Sequence, residues 1–251
     1  MGQSMQTPMD AQAGAVHFVL KTPLAFQQGS PAGIRRAVFA TGCFWGTEKG
    51  FWRLPRGIYS TAVGYCGGPA SGGKPAYNAV CSGATGHAEA VQVLYDPSKI
   101  SYSDLLRLFW ESHDPTQGNC QGNDRGTQYR SGIYYSDEDQ KTLATASKDA
   151  YQEALRVAKK GRGQSVTTEI APLQEFFLAE DYHQQYLARP GNRQYCSAEP
   201  QAVSLPPYEK WAPSGLSADH APKLPESYWA KHAPKPGCVL HCPNEPIQWS
   251  D

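Results

Sequence analysis

The chain has 251 residues, and its 23 Lys plus Arg against 23 Asp plus Glu leave no formal net charge. That balance removes the electrostatic argument for a nucleic-acid or anionic-membrane partner. Hydrophobic residues at 40% allow a packed core, yet no apolar run reaches the roughly 20 residues that cross a bilayer. The first residues have neither the basic nor the apolar region of a secretory signal, and Gln6 stands where a myristoylation motif wants Ser or Thr. These features predict a soluble, cytoplasmic monomer. The cysteines (Cys43, Cys66, Cys81, Cys120, Cys196, Cys238 and Cys242) are odd in number and scattered. That pattern suits redox-active thiols in a reducing compartment better than a disulfide framework.

Residues 1–34 are polar and aperiodic and are expected to form a flexible N-terminal arm. Ala37–Ala40 is a short apolar run, read as a buried strand and broken by Thr41-Gly42. Phe44, Trp45, Phe51 and Trp52 then recur at helical spacing up to Pro55. Ile58–Tyr65 alternates as a strand, closed by Cys66-Gly67-Gly68-Pro69. A Gly/Ser/Pro loop leads to a second strand, His87–Tyr95. Ser101 with Asp104 has the form of a capping box before an amphipathic helix. After a loop at 114–128, Tyr129–Tyr135 reads as a strand, and Ser136 is expected to cap a long helix to about Lys160. Val166–Ile170 reads as a further strand and Leu173–Ala188 as a short helical stretch.

Strand, helix, strand, strand, helix, strand predicts an α+β fold, a two-layer ferredoxin-like (split βαβ) core with irregular N- and C-terminal segments. Such a fold is shared by many activities and decides none of them. The expected organisation is an arm at 1–34, a catalytic domain at 35–189 and a proline-rich extension at 190–251. Eleven of the 20 prolines lie in that extension, enough to deny it long helices. Its Trp and Tyr residues offer something to pack with, so a tail laid over the domain is expected.

Four segments carry chemistry. In Thr41-Gly42-Cys43-Phe44-Trp45-Gly46 a cysteine follows a strand and opens a helix, where unpaired N–H groups and the helix dipole favour a thiolate. The flanking glycines clear space for an approaching group, but a buried structural thiol among core aromatics fits the same residues. In Gly86-His87-Ala88-Glu89 the strand parity puts Glu89 with Val91, Val93 and Tyr95, Gln92 marking the solvent face. A carboxyl on an apolar face holds its proton near neutral pH, as a general acid must; a Glu paired to a surface Arg is the plainer alternative. The loop from His113 to Arg130 is long, polar and glycine-punctuated, which suits a binding wall or a solvated loop. The run Ala179–Leu187 contains His183, which alone means little.

Taken together, Gly42-Cys43-Phe44-Trp45-Gly46, Gly86-His87-Ala88-Glu89, His113-Asp-Pro-Thr-Gln, Gly122-Asn-Asp, Gly126-Thr-Gln-Tyr-Arg-Ser131 and Ala179–Leu187 closely resemble the peptide methionine sulfoxide reductase A family, in order and over about residues 37–188. The resemblance implies that Cys43 attacks the sulfoxide sulfur, with Phe44 and Trp45 around the S-methyl group. Glu89 then protonates the departing oxygen, Tyr77 and Tyr129 bind that oxygen, and Asp124 and His183 contact the substrate backbone. Tyr77 lies beside a lengthened Gly-Pro-Ala-Ser-Gly-Gly-Lys loop.

Cys43 would leave as a sulfenic acid, resolved by a second thiol and reduced by thioredoxin, with no bound cofactor. The substrates implied are the S epimer of free methionine sulfoxide and oxidised proteins, a repair role under oxidative stress. Cys196 stands where the family keeps its resolving cysteine, although Cys66 or Cys81 remains an alternative and Cys120 is read as an ordinary thiol. The chain departs from common relatives in running Ser197-Ala198-Glu199-Pro200 and reaching Cys238 and Cys242 only far along the tail. Those two are read as a recycling pair, against an inert tail or a zinc site with His232 and His241, whose spacing matches no usual ligand pattern. Two rival functions stay open: a Cys–His hydrolase using His87 or His183, and a non-catalytic binding module.

Overall fold

The computed structural model describes residues 15–24, 31–70, 72–237 and 239–250. In chain order the strands and helices are β1 (Arg35–Thr41), α1 (Phe44–Trp52), β2 (Ile58–Cys66), α2 (Tyr77–Cys81), β3 (Ala88–Tyr95) and α3 (Tyr102–Glu111). There follow β4 (Cys120–Gln121), β5 (Asp124–Arg125), β6 (Ser131–Tyr135), α4 (Glu138–Val157), β7 (Glu169–Pro172), β8 (Phe177–Leu178) and α5 (Glu226–His232). The fold is mixed α+β around a six-stranded sheet of order β7-β6-β1-β3-β2-β8, with β4 and β5 forming a separate ribbon. β1 pairs antiparallel with β3 and β6, and β2 antiparallel with β3 and β8. Among the described strands only β6 and β7 run parallel.

Strand parity sorts the side chains into two clusters. Phe39, Val63, Tyr65, Val91 and Val93 meet α1, α3 and α4 on one face. There Phe39 stacks on Phe51 (5.1 Å) and approaches Phe109 (5.5 Å), tying β1 to two helices. Truncating such a buried ring costs about 3–5 kcal/mol. Val38, Ala40, Cys66, Ala88, Ala90 and Tyr134 form the second cluster, with Ala171, Leu173 and Phe176 packed against it. That cover explains a departure from expectation: Gln92, read as solvent-facing, is buried because both faces of β3 are occupied.

The capping box at Ser101 and Asp104 is present. The cap of α4 is Asp137, not Ser136, because the longer Asp137 side chain accepts from Gln140 N at 2.8 Å. The strand read at Val166–Ile170 lies further on, at Glu169–Pro172, where β6 offers a parallel partner. The helix expected at Leu173–Ala188 is replaced by β8 and two 3-10 turns, Asp181–His183 and Tyr186–Ala188. Distant partners hold the segment instead, and one of its backbone donors is taken by a side chain. The Gln184 amide bonds Val63 N and O at 3.0 and 2.9 Å, and the Glu48 carboxylate takes Gln185 N at 2.9 Å.

Residues 15–24 belong to the expected arm yet are packed: Val16 bridges Pro23, and His17 is buried edge-on to Trp52 at 5.7 Å. Residues 1–14 and 25–30 lie outside the described residues. The proline-rich tail is irregular apart from α5 and two 3-10 turns, and it adds Leu205, Leu224, Tyr228 and Trp229 to the main core. Its anchor is Asp104, whose carboxylate accepts from Lys223 N (2.9 Å) and Leu224 N (3.3 Å) besides completing the capping box. Among the described residues no helix is long and apolar enough to cross a membrane.

Candidate active site

Gly42, at φ +105°, turns the chain from β1 into α1 close against Gln121, where any Cβ would come within 2.7 Å of that side chain. The turn makes Cys43 the N-cap residue of α1, although its side chain caps nothing. The next N–H, on Phe44, donates to Glu89 Oε2 at 3.1 Å and so ties the start of the helix to β3. Glu89 is buried opposite Tyr65 of β2. Loss of hydration pushes its carboxyl up to about 8, aided by the Asp124 anion and opposed by the Phe44 bond. Burial thus favours the protonated carboxyl, the direction expected from strand parity.

Cys43 departs from expectation. Burial raises its thiol well above the usual value; negative charge on Glu89, when ionised, and the charge of Asp124 add to this, and a backbone bond from Trp45 opposes it. The helix terminus is outweighed: burial favours the proton on the Cys43 sulfur as it does on the Glu89 carboxyl.

These two groups open into a cavity of about 450 Å3, within the range of small-ligand sites. Phe44 and Trp45 form one wall, extended by Tyr186, which stacks on Trp45 at 3.8 Å and 7°. Tyr77 from α2, Tyr129 at the end of the 3-10 turn Thr127–Tyr129 and Asp124 from β5 line the rest, with Arg193 and Tyr195 reaching in from the tail. An aromatic wall facing polar hydroxyls and a buried acid can hold a small apolar group beside an atom that gains a proton.

Sequence reasoning did not single out Tyr186, Arg193 or Tyr195. Tyr186 lies inside a motif already noted, but nothing in the sequence pairs it with Trp45. His183, expected to contact substrate, is packed behind the wall instead: it accepts from Trp45 Nε1 at 3.1 Å and lies against Phe44 and Tyr77. Burial lowers its pKa to about 4, so it stays neutral. His87 packs on Phe177 and Gly68. Among the described residues no imidazole lines the cavity, which leaves a Cys–His hydrolase without its base.

Cys196 lies against the first turn of α1, where a Cβ on Gly46 would stand 2.7 Å from its Sγ. Asp124 grips the residues on both sides of it, accepting from Tyr195 OH at 2.6 Å and Ser197 Oγ at 2.5 Å. Cys66, kept as an alternative partner for Cys43, is buried in the second cluster with its thiol pushed up to about 12. Cys81 sits in α2 near the cavity tyrosines, and Cys120 donates to Gln117 O at 3.0 Å.

The Cys242 segment runs beside α1, Lys49 Nζ donating to Cys242 O (3.1 Å) and Asn244 Oδ1 (2.9 Å). Cys238 lies outside the described residues. Among the described residues no three His, Cys, Asp or Glu side chains converge as metal ligands, and His232 packs between Tyr228 and Trp249.

Comparison with known proteins finds relatives of the whole domain. The sequence model of peptide methionine sulfoxide reductase matches residues 35–211. A peptide methionine sulfoxide reductase MsrA of Salinispora arenicola is 56% identical over 193 residues, 76% of this chain and 83% of the relative. One from Rhodospirillum centenum is 51% identical over 207 residues, 82% of this chain and 88% of the relative. Among solved structures, methionine sulfoxide reductase A of Corynebacterium diphtheriae aligns with a TM-score of 0.59 at 38% identity, covering 78% of this chain and all of the other. Reduced Mxr1 from Saccharomyces cerevisiae gives 0.58 at 34% identity, over 68% and 94%.

Proposed function

This chain belongs to the peptide methionine sulfoxide reductase family, and from that premise we propose that it reduces methionine sulfoxide, free or in proteins, through Cys43. The observation that carries the assignment is the protonated Glu89, tied by the Phe44 N–H to the start of the helix that Cys43 caps, at the edge of an aromatic-walled cavity.

The substrate S-methyl group lies against Phe44 and Trp45, and its oxygen toward Tyr77, Tyr129 and Glu89. The Cys43 sulfur supplies the two electrons that reduce the sulfoxide sulfur. The sulfoxide S–O bond breaks and an S–O bond to Cys43 forms, leaving thioether and sulfenic acid. Glu89 delivers its proton to the departing oxygen and takes back the thiol proton, so it ends the step as it began. Asp124 holds the substrate backbone, while His183 supports Trp45 from behind. The S epimer is the substrate by family resemblance.

Cys196 then attacks the sulfenic sulfur, forming a Cys43–Cys196 disulfide and releasing water. Its place beside Gly46, with Asp124 holding both neighbours, supports Cys196 over Cys81. The dithiol of thioredoxin supplies the two electrons and two protons that restore both thiols, with no bound cofactor. Cys242 beside α1 supports a part in passing the disulfide outward, together with Cys238. Residues 35–189 form the catalytic unit of a cytoplasmic monomer, and 190–251 carry the resolving and recycling thiols. The inner strand order β6-β1-β3-β2, antiparallel throughout, supports naming the core a split βαβ.

The test is turnover of a methyl sulfoxide with thioredoxin. Wild type should turn over, Cys43→Ser should not react, and Cys196→Ser should stop after one equivalent. The double variant C238S/C242S should keep its first turnover and lose thioredoxin-driven rate. An inactive wild type refutes the proposal.

A further inference from the structure

Glu48 is a buried carboxylate that the reaction does not use. It lies on α1 between the cavity wall and the N-terminal segment, and it receives three hydrogen bonds. Its Oε2 accepts from Gln185 N at 2.9 Å, and its Oε1 accepts from Gln185 Nε2 at 2.6 Å and Thr61 Oγ1 at 3.0 Å. Both oxygens thus grip one residue, by backbone and side chain together. Gln185 is held at φ +49°, ψ +40°, a left-handed conformation that a non-glycine residue rarely adopts without support. The residue that follows is Tyr186, the ring stacked on Trp45 in the cavity wall.

The clamp extends outward. His17 Nδ1 accepts from Val19 N (3.1 Å) and Leu20 N (3.0 Å), so the ring proton is on Nε2. That Nε2–H donates to Thr61 Oγ1 at 2.9 Å, and Thr61 in turn donates to Glu48. Gln185 Oε1 accepts from Phe18 N at 3.0 Å. His17 and Thr61 thus relay to Glu48, while the Phe18 N–H reaches Gln185 directly. Residues 15–24, outside the span matched by the family, are therefore joined to the wall. Glu48 is the last acceptor of this relay and takes three of its bonds, and removing it leaves the buried donors of Thr61 and Gln185 unpaired.

We infer that Glu48 is a positioning residue for substrate binding: it holds Gln185 left-handed and thereby keeps Tyr186 stacked on Trp45. The inference rests on the reading of Trp45 as substrate wall. Glu48→Gln keeps the size but turns an NH2 group toward donors. With an acetylated methionine sulfoxide as substrate, E48Q should raise KM about tenfold and change the saturated first-turnover rate less than about threefold, the split expected when binding rather than chemistry is lost. Glycine adopts the left-handed conformation unaided, so E48Q/Q185G should return KM to within about twofold of wild type.

A crystal structure of E48Q should show Tyr186 displaced from Trp45, a readout that needs no activity. An unchanged KM, or a raised KM that Q185G does not restore, overturns the inference. If E48Q does not fold, Q185A and Q185G replace it. Alanine keeps the strain without the second bond to Glu48 and should raise KM, whereas glycine should not; equal KM values overturn the inference. An inactive wild type refutes the reductase reading instead, leaving the crystal structure of E48Q to judge the clamp.

Discussion

Replacing Glu89 by Gln removes a proton while leaving the fold's use of that side chain intact. The amide oxygen can still accept from Phe44 N, now 3.1 Å from Oε2, so α1 keeps its start. What is lost is general-acid assistance, which contributes about 100- to 10,000-fold. The structure also sets the pH dependence. With its carboxyl at about 8, Glu89 is about nine-tenths protonated at pH 7 and about one-tenth at pH 9. First-turnover oxidation of Cys43 should therefore fall about tenfold between those values in wild type and stay flat in E89Q.

The assay is rapid quench with dimedone trapping of the sulfenic acid under saturating sulfoxide. Because Cys43 is itself held protonated, a site that merely needed thiolate would speed up through the same range. A wild-type rate rising from pH 7 to 9, or an E89Q rate within about threefold of wild type, would falsify the acid role. Stability gives an independent sign. The folded pKa lies above the ordinary 4.5, so the contribution of protonated Glu89 is full below about pH 4.5 and lost as pH rises through about 8. E89Q, which has no carboxyl to ionise, should melt above wild type at pH 9 and lose that advantage at pH 5.

Three further outcomes follow from neighbouring geometry. Cys196→Ser should consume one equivalent of sulfoxide and then hold Cys43 as sulfenic acid, detected by mass; continued turnover would move resolution to Cys81. Gly46→Ala places a Cβ 2.7 Å from Cys196 Sγ, closer than the two atoms can sit. A displacement of about 1 Å can cost about a hundredfold in rate, so disulfide formation should slow while the first oxidation is kept, which separate quench time courses would show. Asp124→Asn removes an anion that raises Glu89 and the acceptor of Tyr195 and Ser197. The alkaline fall of the first turnover should shift to lower pH, and formation of the disulfide should slow.

The placement of the proposed reacting pair was legible in the sequence because it depends on short range; their roles came from the family resemblance. A cysteine between strand and helix becomes an N-cap residue wherever those elements form, and alternation along Ala88–Tyr95 sets which face Glu89 shares. The capping box at Ser101 and Asp104 is legible for the same reason: its partners lie three residues apart.

What the tertiary structure decided rests on groups far apart in the chain. Whether Cys43 rests as thiol or thiolate depends on burial by surrounding segments and on the carboxyl groups of Glu89 and Asp124 beside it, which no local spacing weighs against a helix terminus. Leu173–Ala188 reads as helical, but Glu48 takes the Gln185 N–H and Val63 the Gln184 side chain, both more than a hundred residues earlier. The same distant carboxylate turns Gln185 left-handed and sets Tyr186 on Trp45. His183 retreats behind that wall, and Cys196 meets α1 because Asp124 holds its neighbours. Sequence periodicity reports which face a side chain prefers. Which partner waits at that face is a property of the packed chain, because a buried donor or acceptor is satisfied by whatever the fold brings within about 3 Å.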